Sequence, residues 1–358
     1  MVRELTFAYP GDLDTLTGGY LYDKQILQSL ENQGWAVHRL SLPGAFPDAD
    51  QAVLRQAAMD LSEIAPSSAL VIDGLALGGM GQLAHAFEQR GFIALVHHPL
   101  ALESGISAVL ARKLQATEAA ALACAKHIIV NSPTTAHTLQ SMFDIAPDRM
   151  SIVVPGVDRP EPAPELTAQS ATRKNHRAVL LSVGSVIPRK GYDVLINALA
   201  GLIDLDWELR IVGDTERDAP TAQRLRQQIS ELNVQDRVTL LGSVDPRTLQ
   251  TQYRQADVFV LASHYEGYGM AYAEAMQWGL PIIGTTGGAI SQTVAPGCGL
   301  LVNPGDTGHL AQALRALIAQ PDLRTQMSLA ALTHAQQLPD WDDCARLFGQ
   351  VILKTCRQ

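Results

Sequence analysis

The sequence predicts two doubly wound α/β domains in tandem, and three observations carry that prediction. Short apolar runs rich in β-branched residues alternate with amphipathic segments of helical period over the first 154 residues. A stretch of prolines and polar residues, 155–177, interrupts the rhythm, with Pro155, Pro160, Pro162 and Pro164 followed by the polar run 167–176. The alternation then restarts at Ala178 and continues to about residue 336. Strands alternating with helices give a parallel sheet covered on both faces. A chain of 358 residues is also long for one core, so two domains is the prior.

Taken in order, the first strand is 5–9, followed by a loop that ends in Thr17, Gly18 and Gly19. A helix over 20–32 places Leu21, Ile26, Leu27 and Leu30 roughly on one face, and Gly34 closes it. Strand 35–40, helix 51–64 and strand 69–72 follow, the last ending at Asp73 and Gly74. Helix 80–89 leads to strand 92–96, which ends at His97, His98 and Pro99. The alanine-rich helix 106–124 carries Arg112 and Lys113 but is otherwise apolar, as a core helix is. Strand 127–130, helix 133–142 and strand 152–154 complete the first half. In the second half the strands fall at 178–184, 208–212, 237–241, 257–261, 281–283 and 299–302, with helices at 307–318 and 322–336. The expected domains are 1–165 and 175–338, joined by the linker 155–177. A last helix follows Trp341.

Composition bounds the function. The chain is 47% hydrophobic and 18% charged, well clear of the disordered class. Its net charge of −9 argues against a protein built to coat nucleic acid or anionic lipid. Cys124, Cys298, Cys344 and Cys356 are scattered, with no metal-ligand spacing and no sign of structural disulfides. A reducing, cytoplasmic setting is therefore expected. No apolar run reaches the roughly 18 residues of a membrane span, so any membrane contact is expected to be peripheral.

Active loops in such sheets follow the strands. The segment 263–274 reads as a strand end, a glycine loop and a helix start. Gly267 and Gly269 let the backbone turn tightly, and the helix from Met270 presents unpaired N–H groups and a positive dipole end. That is a ready phosphate cradle, flanked by Glu266 in the loop and Glu274 in the helix. Such a layout suits a ligand with an anionic part and hydroxyl-rich parts, as a nucleotide sugar has. Arg189 and Lys190 sit just before a helix, where cations are unhelpful to the helix itself and a bound anion explains them. Gly18 and Gly19 suit close approach to a phosphate or sugar, and equally a plain tight turn. His97 and His98 follow a buried strand, where at least one is expected to face ligand. Gly213, Asp214 and the run 242–244 end two further strands, where a nucleobase could lie against the backbone.

In this order and spacing, the chain resembles the retaining glycosyltransferases of family 4, with the GT-B fold. The resemblance rests on Val183-Gly184 through Lys190-Gly191, Ile211-Val212-Gly213-Asp214, Glu266-x7-Glu274, Gly279-Leu280-Pro281-Ile282-Ile283 and Gly299 through Asp306. Val154-Pro155-Gly156-Val157-Asp158 and Asn131-Ser132 add to it. It implies two Rossmann-like domains facing across a cleft, the first on the acceptor side and the second binding the nucleotide sugar. Helix 341–358 is expected to pack back on the first.

The same resemblance implies transfer of a sugar from a nucleotide diphosphate donor to an acceptor hydroxyl, without a metal. Glu266 would hold hydroxyls of the transferred sugar and Glu274 the donor ribose. Lys190, with Arg189 assisting, would neutralise the diphosphate. Gly269, Met270 and Ala271 would offer it backbone N–H groups. Gly18 and Gly19 would approach from the other domain, with His97 or His98 near the sugar. Gly213 and Ser243 complete the donor side. Many relatives carry Arg where this chain has Ser185, so that either Arg189 compensates or the diphosphate is held less tightly. Asp12 and Asp14 have metal-like spacing but precede the N-terminal glycines and read as loop acids. The acceptor, whether small molecule, glycan or lipid-linked, is not readable. A nucleotide-sugar epimerase and a non-catalytic nucleotide-sugar-binding protein are the alternative readings.

Overall fold

The computed structural model describes residues 3–103, 105–161 and 177–357. Pro162, Pro164 and the polar run 167–176, expected as linker, lie outside the described residues. The chain divides into two compact units, Met1–Gly156 with Pro339–Gln358, and Val157–Leu338.

The first unit holds a six-stranded parallel sheet in the order β2-β1-β3-β4-β5-β6. Its strands are β1 (Glu4–Pro10), β2 (Ala36–Leu42), β3 (Ala69–Asp73), β4 (Ile93–Val96), β5 (His127–Val130) and β6 (Met150–Ile152). Its helices are α1 (Gly18–Asn32), α2 (Gln51–Ser62), α3 (Gly74–Met80), α4 (Ala108–Cys124) and α5 (Pro133–Phe143). Buried strand residues such as Phe7, Ile72, Leu95 and Ile129 form the spine of its core. The strand order reverses between β1 and β3, the kind of switch point at which open α/β sheets bind ligands.

The second unit holds another six-stranded parallel sheet, ordered β12-β11-β10-β7-β8-β9. Its strands are β7 (Ala178–Val183), β8 (Trp207–Val212), β9 (Val238–Gly242), β10 (Val258–Val260), β11 (Ile282–Thr285) and β12 (Gly299–Val302). The helices are α6 (Tyr192–Ala200), α7 (Ala219–Glu231), α8 (Pro246–Gln255), α9 (Met270–Gln277), α10 (Ile290–Thr293), α11 (Thr307–Ala319) and α12 (Pro321–Ala335). Here the switch falls between β7 and β10. The loops after those two strands are 184–191 and 261–269, which carry Arg189, Lys190 and Glu266.

The final helix, α13 (Trp341–Thr355), packs on α1 of the first unit. The Trp341 and Tyr22 rings meet edge to face at 6.0 Å, and Gly349 leaves room for the Trp35 indole, whose Cζ2 a Cβ there would meet at 2.8 Å.

Three sequence expectations shift. The helix expected over 80–89 is instead α3 at Gly74–Met80 followed by a 3₁₀ turn, Gly81–Phe87. The Asp73 carboxylate caps Leu75 N–H at 2.9 Å and starts the helix early, within a run whose glycines disguise it. The last strand of the first sheet is Met150–Ile152 rather than 152–154. Within α1, Leu21 is exposed, and the buried face is instead Tyr22, Asp23, Ile26, Leu27 and Leu30. No helix among the described residues is long and apolar enough to cross a membrane. Helix α4 buries Leu114, Glu118, Ala121 and Leu122 in the first unit's core.

Candidate active site

In the second unit, a 3₁₀ turn at Pro188–Lys190 follows β7 and aims two cations at the loop after β10. His264 N–H donates to Arg189 O at 2.8 Å and locks the two loops together. Lys190 Nζ donates to Glu266 Oε1 at 2.7 Å. Arg189 Nη1 donates to Glu266 Oε2 at 3.0 Å and to Tyr265 O at 2.8 Å. Ser263 Oγ donates a further hydrogen bond to Glu266 Oε1 at 2.6 Å. The Glu266 backbone is held as firmly: it bridges Gly288 in parallel, and its carbonyl accepts from Ala289 N–H at 2.9 Å.

Burial alone would raise the Glu266 carboxyl. The Lys190 and Arg189 charges, with hydrogen bonds from Lys190 and Ser263, outweigh it and hold it down at about 2. Glu266 is therefore a fixed carboxylate whose two oxygens already accept charge-assisted hydrogen bonds.

Eight residues on, Glu274 sits in α9 with the opposite electrostatics. Burial pushes its carboxyl up to about 7, the nearby Asp158 adds to that, and Tyr253 and Lys190 pull back. Tyr253 OH donates to Glu274 Oε2 at 2.9 Å, and the Tyr253 ring stacks on Trp278 at 6.2 Å. Lys190 thus acts electrostatically on both glutamates. Gly269 caps α9 at φ +96°, a conformation that suits glycine. Met270 and Ala271 head the helix, where N–H groups lack intrahelical acceptors. Gly213 and Ser243 end β8 and β9, one and two strands out from β7. Gly213 packs on Gly184, and its N–H already donates to Gly242 O at 2.9 Å. Ser185 is buried beside this turn.

In the first unit, Gly18 and Gly19 form the first turn of α1, capped by Thr17 Oγ1 accepting from Tyr20 N–H at 3.2 Å. A Cβ on Gly19 would stand 3.2 Å from His97 Cδ2, so the missing side chain is what lets the helix approach the imidazole. His97 Nε2 lies 3.0 Å from Asp23 Oδ1 and 3.6 Å from Asp73 Oδ2. His98 turns elsewhere, with Nε2 3.1 Å from Glu103 Oε2. Asp14 pairs with Lys24, and Asp12 Oδ1 accepts from Asp14 N–H at 2.9 Å, which makes both part of the loop's own structure. The exposed His85 and Glu88 and the buried Cys124 bring potential ligand atoms within 4.8 Å of one another, as do Asp23, Asp73 and His97.

Sequence reasoning missed Asp23, Asp73, Tyr253 and Ser263. Asp23 carried a readable signal, because it interrupts the apolar stripe of α1 at helical spacing from Ile26, Leu27 and Leu30. Tyr253 carried none, since its place beside Glu274 depends on how α8 and α9 pack.

Residues 165–333 match the family model "Glycosyl transferases group 1". Over that segment the chain is similar to the glycosyl transferases group 1 family, and its architecture is the GT-B fold. The chain is 34% identical over 231 residues to the D-inositol 3-phosphate glycosyltransferase of Gordonia bronchialis, covering 61% of this chain and 50% of that one. It is 29% identical over 281 residues to the enzyme of the same name from Acidothermus cellulolyticus, covering 74% of this chain and 62% of that one. The chain therefore spans between half and two thirds of the length of these relatives. Among solved structures, sucrose-phosphate synthase from Thermosynechococcus elongatus superposes with a TM-score of 0.80 at 21% identity, over 98% of this chain and 99% of that one. Anabaena HepE in complex with UDP and glucose gives 0.73 at 18% identity, over 98% and 100%.

Proposed function

We propose that the protein is a retaining glycosyltransferase that moves a sugar from a nucleotide diphosphate sugar to an acceptor hydroxyl without a metal. The observation that carries this reading is the convergence of Glu266, Arg189 and Lys190 at the switch point of the second sheet. Switch points are where such sheets bind ligands. The second unit is the donor side and the first the acceptor side.

In this reading the ionised Glu266 accepts from hydroxyls of the transferred sugar. Glu274 accepts from the donor ribose. Lys190, assisted by Arg189 in place of the arginine absent at Ser185, and the N–H groups of Gly269, Met270 and Ala271 stabilise charge developing on the leaving diphosphate. Cations and a helix dipole supply that stabilisation without a metal. The backbone around Gly213 and Ser243 lies beside the base. Gly18, Gly19 and His97 approach the sugar from the first unit. His98 is engaged with Glu103 and plays the lesser part.

UDP-glucose is the first donor to try, because HepE has been crystallised with it. The relatives named for D-inositol 3-phosphate make a phosphorylated cyclitol the first acceptor to try. Four free cysteines fit a cytoplasmic setting. The test is release of nucleoside diphosphate from a panel of nucleotide sugars, with and without acceptors, followed by product analysis. Acceptor-dependent release with a retained anomeric configuration, lost in Glu266→Gln, is the expected result. Interconversion of the nucleotide sugar itself, or binding with no turnover on any donor, would overturn the reading.

A further inference from the structure

Asp23 is a carboxylate in an apolar stripe. It lies on the buried face of α1 beside Tyr22, Ile26 and Leu27, and is fully buried. A lone carboxylate there is costly, so it calls for a partner. Its Oδ1 is 3.0 Å from His97 Nε2, its Oδ2 is enclosed, and the neighbouring Asp73 carboxyl is a second hydrogen-bonding partner. Asp73, at the end of β3, is buried as well. One of its oxygens caps Leu75 N–H at 2.9 Å, and the other approaches the same His97 nitrogen at 3.6 Å.

Both acids therefore converge on Nε2, which must carry a proton to be stable between them. That fixes the tautomer and leaves Nδ1 as the ring nitrogen with no hydrogen bond among the described residues. The ring is held on its other sides. Tyr22 packs edge-on at 5.2 Å, its hydroxyl spent on Val153 O at 2.9 Å. Gly19 lies against Cδ2, and Thr135 Oγ1 donates to the His97 carbonyl at 3.4 Å. The titratable groups facing the imidazole are thus Asp23 and Tyr22 from α1 and Asp73 from β3. His98, next in sequence, is turned to Glu103.

We infer that Asp23, backed by Asp73, is a positioning residue that holds His97 as an imidazolium whose Nδ1–H is presented to a hydroxyl of the bound sugar. This rests on the proposed placement of His97 beside the transferred sugar. Carboxylate oxygens of Asp23 and Asp73 lie within 4.8 Å of one another and of the imidazole, so the two acids share a proton rather than both ionising, and the cluster is neutral overall while the imidazole keeps its charge. Burial pushes the His97 pKa down, but Asp23 and Asp73 outweigh it and hold the pKa above the ordinary value.

The test uses the full chain with isotope-labelled histidine, the His97 signal being assigned by its loss in His97→Gln. In the wild type, His97 should titrate above the usual histidine range, with Nε2 protonated throughout. In Asp23→Asn the pKa should fall by at least one unit, and the fixed tautomer should be lost. UDP release from UDP-glucose should drop at least tenfold in kcat, with KM changed less than threefold. Asp73→Asn should move the pKa in the same direction by a smaller amount, and it serves if Asp23→Asn does not fold. An unchanged His97 pKa and tautomer in either folded variant overturns the inference. The titration needs no turnover: a wild type that releases no UDP counts against the functional reading, and the pKa arm still decides this one.

Discussion

Lys190 Nζ and Glu266 Oε1 are 2.7 Å apart, and the same ammonium also acts on the Glu274 carboxyl. One cation therefore acts on both acids in the candidate donor site, alongside Arg189 at Glu266 and as a minor counterweight to burial at Glu274. In Lys190→Ala, Glu266 keeps Arg189 and Ser263, so the fold should survive. The expected result is a UDP affinity at least tenfold weaker by calorimetry, or about 1.4 kcal/mol. Unchanged affinity would remove Lys190 from the donor site.

The Glu266 carboxyl also makes a prediction for acid. Its pKa in the folded protein is depressed to about 2, below the value of about 4.3 in an unfolded chain. The stabilisation it gives is therefore fully present above pH ~4.3 and disappears as the pH falls towards 2. Its upper bound is roughly 3 kcal/mol, and coupling to two cations makes the realised figure smaller. Denaturant melts of Glu266→Gln between pH 6 and 3 should show a penalty that shrinks as the pH falls. A penalty independent of pH would mean that shape, and not charge, is what Glu266 contributes.

Glu274 behaves in the opposite way. Burial raises its pKa to about 7, and its ionised form is the better acceptor for ribose hydroxyls. UDP affinity should therefore rise between pH 6 and 8. Tyr253→Phe removes the hydrogen bond that favours the carboxylate and should move that rise to higher pH. Glu274→Gln should flatten it. Calorimetric titrations at four pH values check all three, and a flat wild-type profile would falsify the role.

What the sequence made legible follows from range. The strands and the glycine loop of 263–274 are local patterns, and they read correctly to within a residue or two. The pairing of Arg189 and Lys190 with Glu266 spans 76 or 77 residues, and only the rule that β7 and β10 flank a switch point brings them together. Asp23 and His97 are 74 residues apart and meet because α1 packs beside the end of β4. No local pattern encodes that meeting. Helix α3 was misread for a local reason: Gly74, Gly78 and Gly79 lower helix propensity, yet each is needed for close packing, with a Cβ at Gly74 only 2.8 Å from Leu95 O.

Glu118 lies away from these clusters and offers a stability prediction that does not depend on activity. It is 1% exposed in the middle of α4, and its Oε2 accepts from Leu100 N–H at 3.0 Å. Burial pushes its carboxyl up to about 8, with only that backbone hydrogen bond pulling back. An acid with a raised folded pKa keeps its proton where the unfolded chain has released it. Its cost is therefore absent below pH ~4.3, grows as the pH rises, and levels off above pH 8. Gln has nearly the same shape, can accept from the same N–H and never ionises. Glu118→Gln should thus match the wild type in urea melts at pH 4.5 and exceed it at pH 8.5, by about 1–3 kcal/mol. If the difference between the two proteins is the same at both pH values, Glu118 is paired in solution and the burial argument fails.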